Sequence, residues 1–237
     1  SNSINEDIAL LKKLSYNGYL ERYGKNNEAL VRLEYELSII EKLGFVSYFL
    51  ITHDIINYSL HKGFYHVGRG SGANSIVAYC LRITDVDPIK LNLYFERFLN
   101  PKRTSPPDFD IDYSWKERDT VLKYIFKKHG ENNTALLGTF VTFKDNSILR
   151  ELGKVYGLPK EEIDNLDYKR LAKEKNQEIY TKIFSIGEQI ENFPSYNSIH
   201  AGGVLISNES IFNYSALHLP PKGFQTVQWD MYTAEDI

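Results

Sequence analysis

Three carboxylates in the stretch PPDFDIDY, Asp108, Asp110 and Asp112, alternate with Phe109, Ile111 and Tyr113. On a strand, this spacing sends all three acids to one face and the apolar residues to the other. Like charges stacked so closely repel, and a fold that keeps them needs a cation beside them or a shifted pKa. Magnesium is one such cation, a hard ion that binds through one or two carboxylates together with substrate phosphates. Two such ions clamp the attacking and leaving oxygens of an in-line phosphoryl displacement. A solvated strand face explains the same pattern without chemistry.

Earlier in the chain lies the glycine-rich turn GRGSGANS. Gly68, Gly70 and Gly72 let the backbone approach a ligand closely, Ser71 adds a hydroxyl donor and Arg69 a charge. The helix expected after the turn should start with free amides, an anion site. Taken alone, a tight structural turn is the plainer explanation, and the Gly-Lys-Ser/Thr ending of the nucleoside-triphosphatase phosphate loop is missing. The combination says more than either part: a phosphate-cradling loop, Arg97 in FERFLN and a strand bearing Asp-x-Asp. Other candidates have bland readings. His200 in HAGGVLIS reads as a buried or structurally bonded histidine ahead of a substrate contact, Trp115 and Trp229 as core, and Lys144 and Arg150 as a solvated helix face.

The elements that must position these residues follow from periodicity. From Ile4 to about Lys62 the apolar spacing is helical, with VRLEYELSIIEKLGF the strongest segment and Gly44 its stop. Phe64 to Val67 reads as extended, SIVAYCLRI as helix, the acidic stretch as strand, Trp115 to His129 as helix and TALLGTF as strand. From about Val141 to Glu191 the chain is polar, charge-mixed and helical, and extended signals return in HAGGVLIS and QTVQWD. Strands on both sides of a helical block predict a mixed sheet interrupted by an inserted helical subdomain.

With 237 residues and 42% hydrophobic content the chain can bury a core. Its 28 basic and 31 acidic residues, for a net charge of -3, do not suggest a protein that holds nucleic acid by bulk electrostatics; any DNA contact would be local or lean on parts of a larger chain. A single cysteine, Cys80, permits no internal disulfide and points to a reducing compartment, the cytoplasm. The longest apolar run, GFVSYFLIT, falls short of a membrane span, and no signal peptide is expected.

The run GRGSGANSIVAYCLRITDVDPIKLNLYFERFLNPKRTSPPDFDIDY resembles the palm of the bacterial replicative DNA polymerases of the C family, the polymerase III alpha subunits. The similarity extends through RLEYELSIIEKLGFVSYFLI, TFVTFKDNSILRELGKVYGLP and HAGGVLIS, nearly the whole chain. The resemblance implies an α+β fold, a mixed-sheet palm of the polymerase-beta-like nucleotidyltransferase type. The palm would comprise residues 1–139 and 195–237, and a helical thumb residues 140–194. It also implies that Asp108 and Asp110 are catalytic metal ligands for two magnesium ions, with Asp112 outside the ligand set. Gly70 and Ser71 would hold the incoming triphosphate. Arg97 matches a phosphate-facing arginine, with a salt bridge to Glu96 or a neighbouring acid as its structural alternative, and the resemblance allows Lys144 and Arg150 a phosphate-backbone contact to duplex DNA. The implied activity adds deoxynucleotides to a primer 3'-hydroxyl on a DNA template. Implied partners are primer-template DNA, deoxynucleoside triphosphates and, for the whole protein, other replicase subunits such as the sliding clamp.

In this family a third aspartate lies in a Lys-x-Asp motif expected beyond Ile237, so Asp230 of QTVQWDM, which matches an earlier position, is left out of the metal set. His66 and Val67 stand where the family has glycine and proline. The chain is thus expected to be a palm-thumb piece of a larger polymerase, inactive alone. The alternatives are a small-molecule nucleotidyltransferase of the same superfamily and a non-catalytic paralogue.

Overall fold

The computed structural model describes residues 3–100, 102, 107–165 and 177–234. Residues 103–106, which lead into the acidic stretch, and 166–176, in the expected thumb, lie outside the described residues. The chain divides into two compact units, Ser1–Glu131 and Asn132–Ile237, and the expected boundary at residue 139 falls inside a strand of the second.

In the first unit, α1 (Ile4–Tyr23) begins where Ser3 Oγ accepts the Glu6 amide and ends at Gly24, with φ +62°. Asn26 caps α2 (Asn27–Lys42) in the same way, accepting from the Ala29 amide. Gly44 ends the α2 region at φ +77° before α3 (Val46–His61). Leu11 and Tyr19 of α1, Leu33, Leu37 and Ile40 of α2, and Phe49 and Ile56 of α3 are buried in one core. These positions recur at the helical spacing that lays one apolar face of each helix inward.

The helix expected over SIVAYCLRI is short: α4 runs only over Ile76–Cys80. Arg82 takes φ +60°, which no helix continues, and the turn brings Ile83 into the core. There Thr84 Oγ1 donates to the Gly68 carbonyl at 2.8 Å. Helix α1 lies directly on α4 at Gly18, where a Cβ would be 2.0 Å from the Cys80 carbonyl oxygen. The Cys80 thiol is buried, and burial pushes its pKa up to about 12.

Strand β1 (His66–Arg69) pairs antiparallel with β2 (Asp110–Tyr113), with Arg69 opposite Asp110 and Val67 opposite Asp112. Helix α5 (Trp115–His129) follows, burying Val121, Leu122, Ile125 and Phe126, with Lys127, Lys128 and His129 in its last turn. Trp115 departs from the core position expected of it: it is 82% exposed at the start of this helix, with the Lys116 ammonium 5.7 Å from its ring centre.

The second unit holds β3 (Thr134–Thr142), β4 (Pro194–Ile206), β5 (Leu217–His218) and β6 (Thr226–Val227) in the order β4-β3-β6-β5. Strand β3 runs antiparallel to β4 and parallel to β6, which makes the sheet mixed. Between β3 and β4 the chain forms α6 (Asp145–Val155), α7 (Lys160–Asp164) and α8 (Gln177–Ile190), where Leu149, Tyr180 and Ile183 build a small core of their own. Trp229 packs beside the sheet core of Ala135, Leu137, Ile211 and Val227. Helix α9 (Met231–Ala234) follows. No helix among the described residues is long and apolar enough to cross a membrane.

Candidate functional site

Phe109 sets the facing of the acidic stretch. Its ring stacks on Tyr48 at 5.3 Å, meets Phe49 edge-on at 5.2 Å and lies 4.9 Å from Phe98. Its amide donates to the Tyr48 hydroxyl at 2.8 Å. Phe109 is drawn into the core just before β2 begins, while Asp108 beside it is exposed and Asp110 opens the strand. Burial pushes the Tyr48 hydroxyl up to about 12, and the charges of Asp108 and Asp110 push the same way against the Phe109 amide.

The glycine-rich turn is seated on this strand. Residues Gly70–Asn74 form a 3-10 turn in which Gly70 has φ +70°, and a Cβ there would lie 2.4 Å from Asp110 Oδ2. A Cβ on Gly72 would lie 2.5 Å from Phe109 Cδ1. Larger residues at either position would displace the acid or the ring that orients it. Asn74 Nδ2 donates to the Ser71 carbonyl at 2.7 Å and keeps the turn closed. The loop and the acid strand are therefore one local structure.

Arg69 supplies a cation to two of the three acids. Its Nε donates to Asp112 Oδ2 at 2.6 Å and its Nη1 to Asp110 Oδ2 at 3.3 Å, and the two acids, Asp112 first, raise its pKa further. In the sequence Arg69 figured only as a charge on the loop. What makes it the partner of the acids is the β1–β2 register, which residue spacing along one chain does not contain.

The amides expected to be free at the following helix start are not free. The Val77 amide donates to Glu36 Oε2 at 3.3 Å and the Ala78 amide to Ser75 Oγ at 3.1 Å, while Ser75 Oγ donates to Glu36 Oε2 at 2.7 Å. The anion at that helix start is the protein's own. Glu36 is fully buried, and Arg32 Nε donates to its Oε1 at 2.7 Å. Burial pushes the Glu36 carboxyl up to about 7, against the pull of Ser75, Arg32 and the Ile76 amide. Sequence reasoning passed over this pair because Arg32 and Glu36, four apart on a helix, look like ordinary surface charges.

Arg97 ends a 3-10 turn, Phe95–Arg97, that lies beside the Gly70–Asn74 turn and is anchored by buried Phe95. The salt bridge to Glu96 considered for it is not formed: Glu96 Oε1 accepts the Tyr35 hydroxyl at 3.0 Å, and no carboxylate among the described residues pairs with Arg97. Its guanidinium is exposed.

Asp230 and His200 belong to the second unit and have structural work. Asp230 Oδ1 accepts the amide and hydroxyl of Thr233, each at 3.1 Å, which caps α9 and lowers the Asp230 pKa. His200 Nδ1 accepts the amides of Gly202 at 3.3 Å and Gly203 at 3.0 Å. These bonds lie in an irregular stretch of β4, where the register shifts: Gly138 pairs with Ile199 but Leu136 with Val204.

As a donor set, Asp108 and Asp110 offer carboxylate oxygens, the chemistry that a hard divalent cation takes together with phosphates and water. They are a pair: among the described residues no group of three or more His, Cys, Asp or Glu could hold a metal ion.

Comparison with known proteins places the chain in a family. Residues 9–237 match the family described as the bacterial DNA polymerase III alpha NTPase domain. The chain is 35% identical over 249 residues to the error-prone DNA polymerase of Symbiobacterium thermophilum, covering 97% of this chain and 23% of that protein. It is 36% identical over 245 residues to DNA polymerase III subunit alpha of Treponema pallidum, covering 95% of this chain and 21% of the relative. With the Bacillus subtilis subunit of the same name the identity is 37% over 250 residues, covering 96% and 22%. The chain thus spans less than a quarter of the length of these curated relatives. A match over nearly all of its residues shows that the chain belongs to the bacterial DNA polymerase III alpha NTPase domain family.

Proposed function

We propose that this chain is the palm and thumb of a bacterial DNA-directed DNA polymerase, a segment of a longer chain that adds deoxynucleotides to a primer 3'-hydroxyl on a DNA template. The observation that carries the reading is the seat of Gly70 against the Asp110 carboxylate, which joins a phosphate-cradling loop to a metal-ligating acid pair. An α+β palm of the polymerase-beta-like nucleotidyltransferase type, with α6–α8 as the thumb inserted between β3 and β4, accommodates the element order.

In this reading Asp108 and Asp110 hold magnesium, which when bound supplies positive charge to the phosphates and to the attacking oxygen. The chain's own residues bind and orient. Gly70, lacking a side chain, leaves the approach beside Asp110 open, and the Ser71 hydroxyl donates to a phosphate oxygen. Arg97, exposed and unpaired among the described residues, balances the triphosphate charge. Arg69 offsets the repulsion between the arriving anion and the Asp110–Asp112 face. The primer oxygen attacks the α-phosphorus and pyrophosphate leaves, with no covalent protein intermediate, so positioning and electrostatics supply the rate. With a net charge of -3, any DNA contact by this segment is local, as at Lys144 and Arg150 of the thumb, rather than by bulk electrostatics. The rest of the primer-template path and the sliding-clamp contact fall to the remainder of the longer chain.

The test is primer extension by the full-length natural chain with magnesium and four deoxynucleotides. Asp110→Asn should abolish extension while the thermal midpoint changes little. Retained extension by that variant removes Asp110 from the metal set. A well-folded wild type that binds triphosphate yet never extends a primer supports a small-molecule nucleotidyltransferase instead.

A further inference from the structure

The Arg32–Glu36 pair, with Glu36 fully buried and Arg32 partly exposed, does more than fill space beneath the loop. Glu36 Oε2 accepts the Ser75 hydroxyl and the Val77 amide, at the downstream end of the glycine-rich turn. From the other side, Arg32 Nη2 donates to the Asn74 carbonyl at 3.3 Å and to the Leu93 carbonyl at 3.1 Å. Leu93 stands two residues before the Phe95–Arg97 turn. One guanidinium therefore ties three things together: the carboxylate that caps α4, the last residue of the turn holding Gly70 and Ser71, and the segment that carries Arg97. Asn74 in turn holds the Ser71 carbonyl at 2.7 Å. Every one of these bonds is a donor meeting an acceptor, and the Glu36 side chain has no exposure at all.

We infer that Arg32 and Glu36 are positioning residues for the triphosphate site, fixing the spacing between the Gly70–Ser71 loop and Arg97. The inference rests on the polymerase reading above. The Glu36 side chain has no exposure with which to touch substrate, and the Arg32 guanidinium is engaged by Glu36, Asn74 and Leu93, so each acts through Ser75, Asn74 and Leu93. A lysine at position 32 could keep a positive charge near Glu36 but lacks the planar fork that reaches both carbonyls as well. A glutamine at position 36 sets an amide donor against either Arg32 or the Ser75–Val77 donors.

The experiment is steady-state extension by the full-length natural chain, varying one deoxynucleotide, for wild type, Arg32→Lys, Glu36→Gln, Ser75→Ala and Ser71→Ala. Thermal midpoints are measured on the same samples. A positioning role predicts that Arg32→Lys and Glu36→Gln raise the nucleotide KM about tenfold, with kcat and the KM for primer-template within about threefold of wild type. Ser75→Ala, which loses a single hydrogen bond to Glu36, should shift the nucleotide KM in the same direction by less. It keeps the test open should Glu36→Gln fail to fold. A lowered midpoint with unchanged nucleotide KM in Arg32→Lys and Ser75→Ala overturns the inference. If Ser71→Ala raises the KM and these do not, the polymerase reading stands and only the positioning role falls. A wild type that incorporates no nucleotide takes both down.

Discussion

At the scale of single residues, the site turns on what Gly70 lacks and what Arg69 holds. Gly70 combines φ +70° with a Cβ position 2.4 Å from Asp110 Oδ2. Gly70→Ala would therefore meet backbone strain and push the carboxylate aside together. The strain contributes about 1–2 kcal/mol of destabilisation, read as a lowered denaturant midpoint, and extension by the full-length chain should fall well beyond what the lost stability explains. The aspartates were legible in the sequence because a period of two is a local property. Arg69 as their partner was not, since Arg69 and Asp112 meet only through the pairing of two strands distant in sequence. Trp115 was misplaced for a related reason: an aromatic residue is usually core, but Trp115 opens α5 more than a turn before Val121, the first residue that this helix buries.

Among elements, the closest approach is α1 on α4. A methyl added at Gly18 would lie 2.0 Å from the Cys80 carbonyl oxygen, and backbone rather than a pliant side chain would have to yield. Gly18→Ala should cost about 1–3 kcal/mol, in spite of the better helix propensity of alanine, as measured by chemical denaturation. Glu36 links α2 to α4 and brings a pH dependence with it. Its carboxyl, pushed up to about 7 by burial, keeps a proton that the unfolded chain has already released. Stability from this group is present at low pH and is lost as pH rises from about 4.5 to about 7, by on the order of 3 kcal/mol. Denaturation at pH 5 and pH 7.5 should show this decline in the wild type and a flatter profile in Glu36→Gln. Helices α1, α2, α3 and α5 follow from apolar periodicity and capping residues that a sequence displays openly. The short α4 does not, because Arg82 leaves the helical region for the sake of Ile83 and Thr84, a tertiary demand.

For the molecule as a whole, the division at Glu131 matters most. Phe109, Gly70, Ser71, Arg97 and the Arg32–Glu36 pair all belong to Ser1–Glu131, which has its own core around Leu33, Ile40, Phe49, Ile76 and Phe98. Residues 1–131 expressed alone should therefore melt cooperatively with helical circular dichroism; a non-cooperative melt would show that the first unit needs the second. The sheet of the second unit has a separate core around Ala135, Leu137 and Val227. Two sheets, one carrying the acids and one carrying HAGGVLIS, could not be told apart in the sequence. Strand signals mark where a chain is extended and carry no information about which strand it pairs with.

Cys80 carries a practical consequence. It is the sole cysteine of the chain, it is 4% exposed, and burial holds its thiol up to about 12. Thiolate, not thiol, reacts with maleimides and disulfide reagents, so the folded chain offers them no target at neutral pH. A cysteine introduced on the surface, at exposed Tyr65 or Val67 beside the acidic strand, should accept a fluorophore alone, with the native thiol left in place. When the fold opens, Cys80 becomes the reactive group, and the rate at which it is labelled becomes a clock for unfolding of the core that carries the site.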